Sequence, residues 1–296
     1  MKSRLFIQTI LITFLFSNIA YASGITNSLL SGFDNIYTPT EKISLSAKLE
    51  KNGTIPYRSD IEGEEVEFYL GDEYLGSSIT DFDGIAKLEY KTLKQGQYSF
   101  VAKVNKNSRY RSLPAKLFHV VISPKKRIVI SDIDHTISDA SSWQVLIKPN
   151  SKLKPLKNAE KGIHFFEKKG FQIIYLTARD DSFILKTKDW LSMYHFSKAP
   201  SFFWDYKGAG IPQDHGDFKS SVILKLKRKF QNILIGIGDK PHDMRAYRDH
   251  GLRSYYIGKS NVEIDPDALR VKSWDELVEH ILVNPIGTIS SDPFVL

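Results

Sequence analysis

The sequence predicts an all-β unit followed by an α/β unit with a doubly wound, Rossmann-like parallel sheet, and three observations lead there. Between residues 24 and 124, apolar residues alternate along short segments and turn signals recur at close intervals. From residue 127 onward, short apolar runs are separated by helix-like stretches. Those runs deliver polar residues suited to chemistry to their ends, beginning with Asp132-Ile133-Asp134-His135-Thr136 directly after Ile128-Val129-Ile130. At 296 residues the chain is long enough for two such cores.

Residues 1–22 belong to neither unit. Lys2 and Arg4 precede an apolar stretch from Leu5 to Phe16, and Ala20-Tyr21-Ala22 fits the small-x-small cleavage rule. The apolar core is too short for an anchor, so the segment reads as a secretory signal peptide. The expected destination is across the inner membrane, in the periplasm or outside the cell. The chain has no Cys, which suits an exported protein without disulfides and excludes thiolate catalysis and thiolate metal sites. Its formal charge of +7 favours anionic partners such as phosphorylated molecules or membrane surfaces. No nucleic-acid partner is expected.

The β unit is placed at 23–124. Strands are predicted at Ser44 to Leu49, Val66 to Leu70, Ile85 to Tyr90, Gln97 to Val104 and Ala115 to Ile122. Asp83-Gly84 marks a hairpin turn, which accounts for Asp81 and Asp83 more simply than a calcium site does. Asn52-Gly53-Thr54 is both a turn signal and a glycosylation sequon. About a hundred residues of this kind suit a β-sandwich. The run from Glu64 to Val104, with Leu75-Gly76, Asp83-Gly84-Ile85-Ala86 and Gly96-Gln97-Tyr98, resembles bacterial immunoglobulin-like domains. That resemblance implies a spacer or a module that binds a protein or a surface.

Ser123-Pro124-Lys125-Lys126 reads as a polar linker into the α/β unit at 125–283. Strand-like runs fall at 127–131, 172–176 and 232–238, with a further strand at Ser201-Phe202-Phe203-Trp204. Helices are predicted at Leu156 to Lys169, closed by Gly170, at Asp181 to Tyr194, and at Lys219 to Phe230. Ser273-Trp274-Asp275-Glu276 has the pattern of a capping box. From Asn284 to residue 296 no periodicity remains, so a loose tail is expected.

The chemistry gathers at strand ends. Asp132 and Asp134 follow the first run, Thr177 the second, and Asp239 the third, with Asp243 four residues on. Strand alternation would point Asp132 and Asp134 to one face. Asp217-Phe218-Lys219 sits at a predicted helix start. At the carboxyl edge of one parallel sheet these residues would surround a single pocket. A carboxylate approaching a phosphate dianion meets repulsion, which a hard divalent cation and a lysine can offset.

These four segments, in this order, resemble the motifs of the haloacid dehalogenase superfamily of phosphohydrolases. The resemblance implies Asp132 as nucleophile, Asp134 as general acid and base, Thr177 on the phosphoryl oxygens and Lys219 as the neutralising cation. It further implies Mg²⁺ held by Asp132, Asp239 and Asp243 with the backbone carbonyl of Asp134. Thr136, Ala178 and Arg179 become substrate contacts. His135, His215 and His242 lie beside these motifs, but a carboxylate-rich set suits Mg²⁺ better than zinc.

Within that superfamily, Ile128 to Ser138, Tyr175 to Arg179 and Gly238 to Gly251 resemble the signatures of lipin-type phosphatidate phosphatases. His135 stands where lipin-type sequences carry Gly. The gaps after Thr136 and after Thr177 leave room for a minimal cap only, and an open site suits phosphates on large or membrane-bound molecules. The resemblance therefore implies phosphatidate or a similar lipid phosphate as substrate. A broad-specificity periplasmic acid phosphatase is the enzymatic alternative, and a non-catalytic surface-binding protein the alternative of another class. The basic helix from Lys219 and the aromatics Phe202, Phe203, Trp204 and Tyr206 are candidates for an anionic membrane face, although a core strand accounts for most of Phe202–Trp204.

Overall fold

The computed structural model describes residues 24–53, 58–204, 215–258 and 260–286. The segment expected to be a signal peptide, Thr54, Tyr206 and the tail from residue 287 lie outside these residues.

The first unit is a sandwich of two sheets. Its strands are β1 (Thr26–Gly32), β2 (Asn35–Tyr37), β3 (Lys42–Lys51), β4 (Glu65–Leu70), β5 (Glu73–Ile79), β6 (Ile85–Thr92), β7 (Gly96–Val104), β8 (Tyr110–Arg111) and β9 (Ala115–Val121). One sheet has the order β6-β3-β1-β8 and the other β2-β9-β7-β4-β5. Both are mixed, because β1 pairs parallel with β8 and β2 parallel with β9. Alternate residues of β3 (Ile43, Leu45, Ala47, Leu49) meet Val66, Phe68, Phe100, Ala102 and Leu117 of the facing sheet in one core. The Asp81–Gly84 turn forms as expected: the Asp81 carboxylate accepts the amides of Asp83 and Ile85.

The second unit comprises β10 (Ile128–Ser131), α1 (Ser142–Ile147), α2 (Ala159–Lys168), β11 (Gln172–Asp180), α3 (Ile184–Met193), β12 (Ser201–Trp204), α4 (His215–Lys227), β13 (Ile233–Gly238), α5 (Pro241–Asp249), β14 (Arg253–Tyr256), β15 (Leu269–Arg270) and α6 (Trp274–Val283). Its six strands are all parallel, in the order β12-β11-β10-β13-β14-β15. Strand alternation divides the apolar residues between two layers. Val129, Ile173, Tyr175 and Ile235 face α2, α3 and α6, whereas Ile128, Ile130, Ile174 and Ile233 face α4 and α5. The doubly wound arrangement expected from the sequence is the one observed.

Several boundaries differ. The helix before Gly170 starts at Ala159, since Asn158 before it is left-handed (φ 60°). The third predicted helix contains Lys219 one turn inside α4 rather than at its start. Ser273 caps α6 through the Glu276 amide, but Glu276 returns its bond to the Lys272 amide. The expected tail is docked where it begins: Ile286 packs on the core and the Asn284 carbonyl accepts from Arg253.

The linker reading changes most. Ile36, Phe118, Val120 and Ile122 of the sandwich share one apolar cluster with Ile128, Ile130, Ile223 and Phe230 of the α/β unit. Residues 123–126 form a surface turn, with the Lys126 amide on the Ser123 carbonyl, beside a core that is continuous from Ile122 to Ile128. The seam also holds buried charge. Lys48 of β3 lies 2.9 Å from Asp181, and Asp34 receives Lys188 at 2.6 Å and the Ser201 amide at 3.2 Å.

Candidate active site

The parallel sheet brings the predicted strand-end residues together at its carboxyl edge. β10 stops at Ser131, and the Asp132 amide extends the ladder once more by donating to the Ile237 carbonyl (2.9 Å). The chain then turns: the amides of Thr136, Ile137 and Ser138 all donate to the Ile133 carbonyl, and His135 is left-handed (φ 51°). That backbone conformation is the one glycine adopts at no cost and a side chain such as His135 adopts only with strain. Because both carboxylates lie past the strand, they do not share one face as alternation suggested. They divide between two clusters.

The first cluster centres on Lys219, which is 1% exposed. Its Nζ lies 3.0 Å from Asp132 and 2.6 Å from Asp243. Asp243 sits in the first turn of α5, where Pro241 opens the helix and the Asp243 carboxylate accepts the Lys240 amide (3.3 Å). Gly238 is required here, because a Cβ at that position would fall 2.6 Å from the Asp243 carboxylate. Asp239, just past β13, pairs with Lys240 at 2.7 Å.

Burial raises the Asp132 carboxyl well above its ordinary range, against the pull of Lys219; Asp243, Asp239 and Asp134 add to the rise. Burial likewise raises Asp239, with Lys240 opposing. For Lys219, desolvation would lower the ammonium, but Asp132 and Asp243 outweigh it and hold the lysine charged above its usual range.

One oxygen from each of Asp132, Asp239 and Asp243 lies within 4.8 Å of the others. Asp239 Oδ1 is buried without a hydrogen-bond partner among the described residues. Crowded carboxylates, an unsatisfied buried oxygen and an oxygen-only donor set fit a hard divalent cation. That group of three is carboxylate only; His242 borders it, with Nε2 3.6 Å from Asp243, and meets the His215 ring edge-on with centroids 5.7 Å apart.

The second cluster centres on Asp134. Arg179 Nε and Nη2 donate to both of its oxygens at 2.8 to 3.3 Å, and Ser142 Oγ adds a bond of 2.9 Å. Arg179 is itself fixed by a bond from Nη1 to Thr187 on α3 (2.9 Å). This fork arises from a shift of register in β11 between Leu176 and Asp180, where the strand leaves its pairing with β12. The irregularity carries Thr177, Ala178 and Arg179, and re-aims side chains as bulges do. Thr177 is buried, and its hydroxyl oxygen accepts the Arg179 amide at 3.2 Å. Ala178 is half-buried beside it.

Thr136, expected as a substrate contact, is fully buried in the turn. Its carbonyl accepts Trp274 Nε1 (2.8 Å), and its hydroxyl has no partner among the described residues. It therefore braces the loop against α6. Three contributors went unread in the sequence: Lys240 on Asp239, Ser142 on Asp134, and Arg179 as a fork on Asp134. Ser142 had a visible signal, since Ser141 and Gln144 form a capping box that starts α1.

Residues 129–258 match the family model described as PITM 1-3, LNS2 domain, a span that contains both clusters. No curated protein matches the chain at a significant level. Solved structures that match part of the chain include D,D-heptose 1,7-bisphosphate phosphatase from B. bronchiseptica, complexed with magnesium and phosphate. It is 12% identical over 53% of this chain and 99% of that one, with a TM-score of 0.42. A HAD-superfamily hydrolase from Ehrlichia chaffeensis is 12% identical over 53% and 98%, with a TM-score of 0.37. A chain of the Pnkp1/Rnl/Hen1 RNA repair complex is 14% identical, with a TM-score of 0.41; the match covers 48% of this chain and 45% of that one, under half its length. Over residues 129–258, then, the chain is similar to the LNS2 domain of the PITM 1-3 family.

Proposed function

We propose that this chain is an exported, Mg²⁺-dependent phosphohydrolase that cleaves phosphomonoesters through phospho-Asp132, with phosphatidate or a similar lipid phosphate as substrate. One observation carries the reading: a buried lysine spans Asp132 and Asp243, an Asp239 oxygen lies within 4.8 Å of oxygens of both, and Asp239 Oδ1 has no hydrogen-bond partner among the described residues. Such an arrangement holds a carboxylate in place and neutralises part of its charge, yet leaves room for a cation.

Asp132 attacks phosphorus, the ester oxygen leaves, and Asp134 supplies that oxygen with a proton. Asp134 then takes a proton from water as the water displaces Asp132 from phosphorus, which releases inorganic phosphate and restores both carboxyl groups. Lys219 stays charged throughout and holds Asp132 in line. Arg179 is the group that an incoming phosphate dianion would draw away from Asp134, freeing the carboxyl to exchange its proton. Thr177 offers its hydroxyl proton to a phosphoryl oxygen. Asp132, Asp239 and Asp243 would hold Mg²⁺, which when bound offsets charge on the phosphoryl group.

The lipin-type signatures and the match of residues 129–258 to an LNS2 domain support the lipid assignment. Export rests on the signal-peptide pattern of residues 1–22, and the immunoglobulin-like reading of the sandwich on its sequence resemblance. The test is phosphate release from phosphatidate vesicles and from a soluble aryl phosphate, each with Mg²⁺, with chelator, and with Asp132→Asn. Metal-dependent release from phosphatidate that disappears in the variant supports the reading. Release from the aryl phosphate alone favours the broad-specificity alternative, and no release from folded protein favours a binding role.

A further inference from the structure

α1 is six residues long and stands at the rim of the site, because its Ser142 bonds Asp134 while Val145 is buried in the core. It is also held from below: Lys186 Nζ donates to the carbonyls of Val145 and Lys148. On this fixed support two large apolar side chains point outward. Trp143 is 67% exposed and Ile147 is 59% exposed. They stand four residues apart, one above the other on the same helix face. The chain has four Trp residues. The other three, Trp190, Trp204 and Trp274, are all buried, so the exposure of Trp143 is not typical of this molecule.

The surrounding loop is basic. Residues 139–158 contain Lys148, Lys152, Lys154 and Lys157 and a single acidic residue, Asp139. An exposed tryptophan with an isoleucine beside it, flanked by lysines, combines an amphipathic ring with attraction to negative charge. Two side chains are far too little area for a stable protein interface, which needs on the order of 800 Å² from each partner. They suffice for docking on a bilayer, where lysines near an anionic surface add to the affinity.

We propose that Trp143 and Ile147 seat the α/β unit on an anionic lipid surface and so bring the Asp132 site to headgroup level. This deepens the lipid-phosphate reading and rests on it. It also moves the membrane face away from the positions the sequence suggested. Phe202 packs into the core and Lys219 is committed to Asp132 and Asp243.

The emission of Trp143 provides the test, because it is the exposed one of the four indoles. The chain, purified from its expressing cells, is titrated with phosphatidylcholine vesicles and with vesicles that also contain phosphatidylglycerol, an anionic lipid without a phosphomonoester. The expected result is a blue shift and quenching by brominated lipid on the anionic vesicles, and vesicle co-sedimentation should show affinity reduced about tenfold by Trp143→Ala with Ile147→Ser. Lys152→Glu with Lys154→Glu should weaken binding and flatten its dependence on salt, with Trp143 still present as the probe. Hydrolysis of a soluble aryl phosphate by the apolar double variant should stay within about twofold of the parent.

Unchanged emission on anionic vesicles, while vesicle phosphatidate is still hydrolysed, overturns the docking surface and leaves the lipid-phosphate reading intact. Equal binding by the apolar double variant overturns it too, as does an equal loss of soluble activity, which would mark a structural role. Vesicle docking without hydrolysis of any lipid phosphate supports the surface and removes the substrate assignment beneath it.

Discussion

Lys48 of the sandwich and Asp181 of the α/β unit form a buried ion pair at 2.9 Å, with 1% and 5% of their side chains exposed. Asp181 comes two residues after Arg179, the fork on Asp134, and Arg58 of the sandwich donates to the next carbonyl, that of Ser182. The β unit is thus tied to the segment that carries a central side chain of the candidate site. Removing one partner of a buried pair leaves the other charge desolvated. Lys48→Met should therefore cost about 3–5 kcal/mol, and Lys48→Met with Asp181→Leu should recover much of it. Denaturant unfolding of the three proteins checks this.

Arg179 is required as a fork and not only as a charge. Arg179→Lys keeps the cation but cannot bond both Asp134 oxygens and Thr187 together. A fall in kcat of about 100-fold is expected, measured under steady state on a soluble phosphomonoester.

Asp239 Oδ1 is the buried oxygen with no partner among the described residues in the carboxylate group, so cation binding should depend on it. At a Mg²⁺ concentration about 100 times its Kd, the parent should gain about 2.7 kcal/mol of stability. Asp239→Asn should lose most of that gain, as read by thermal unfolding with and without the ion.

His119 gives the pH dependence. Burial lowers its imidazole to about 4 from the ordinary 6.5, with the Phe33 carbonyl opposing and Lys188 reinforcing. Between those values the unfolded chain binds more protons than the folded one, so stability falls as pH drops from 6.5 toward 4. The loss is about 3 kcal/mol. His119 lies between Tyr37 and Phe100, with ring centroids 5.5 and 5.2 Å away, so an aromatic replacement has suitable neighbours. His119→Phe should remove this part of the acid sensitivity in urea unfolding series run at several pH values.

The sequence exposed the site more fully than its surroundings. Asp132, Thr177 and Asp239 were legible because parallel strands must bring their carboxyl ends to one edge, and each followed an apolar run. Asp243 and Lys219 were legible as motif members, although Lys219 was set at a helix start that lies a turn earlier. The division of Asp132 and Asp134 between two clusters was hidden, because it depends on β10 ending at Ser131 and on the turn at His135. Lys48 and Glu50 were hidden for a different reason. Along β3 they fall opposite Leu45 and Leu49, on the face that in a lone sandwich meets water. Arg58 and Asp60 of the sandwich's own later segment cover that face together with Asp181 of the second unit, and no period within β3 records it.

Phosphoryl transfer to Asp132 is the central claim, and borohydride trapping during turnover tests it most directly. An aspartyl phosphate is reduced to homoserine, which peptide mass spectrometry places by position. The account predicts homoserine at residue 132 when substrate and Mg²⁺ are both present, and an unmodified residue when either is omitted. Steady hydrolysis with Asp132 intact, or label at another carboxylate, would contradict it.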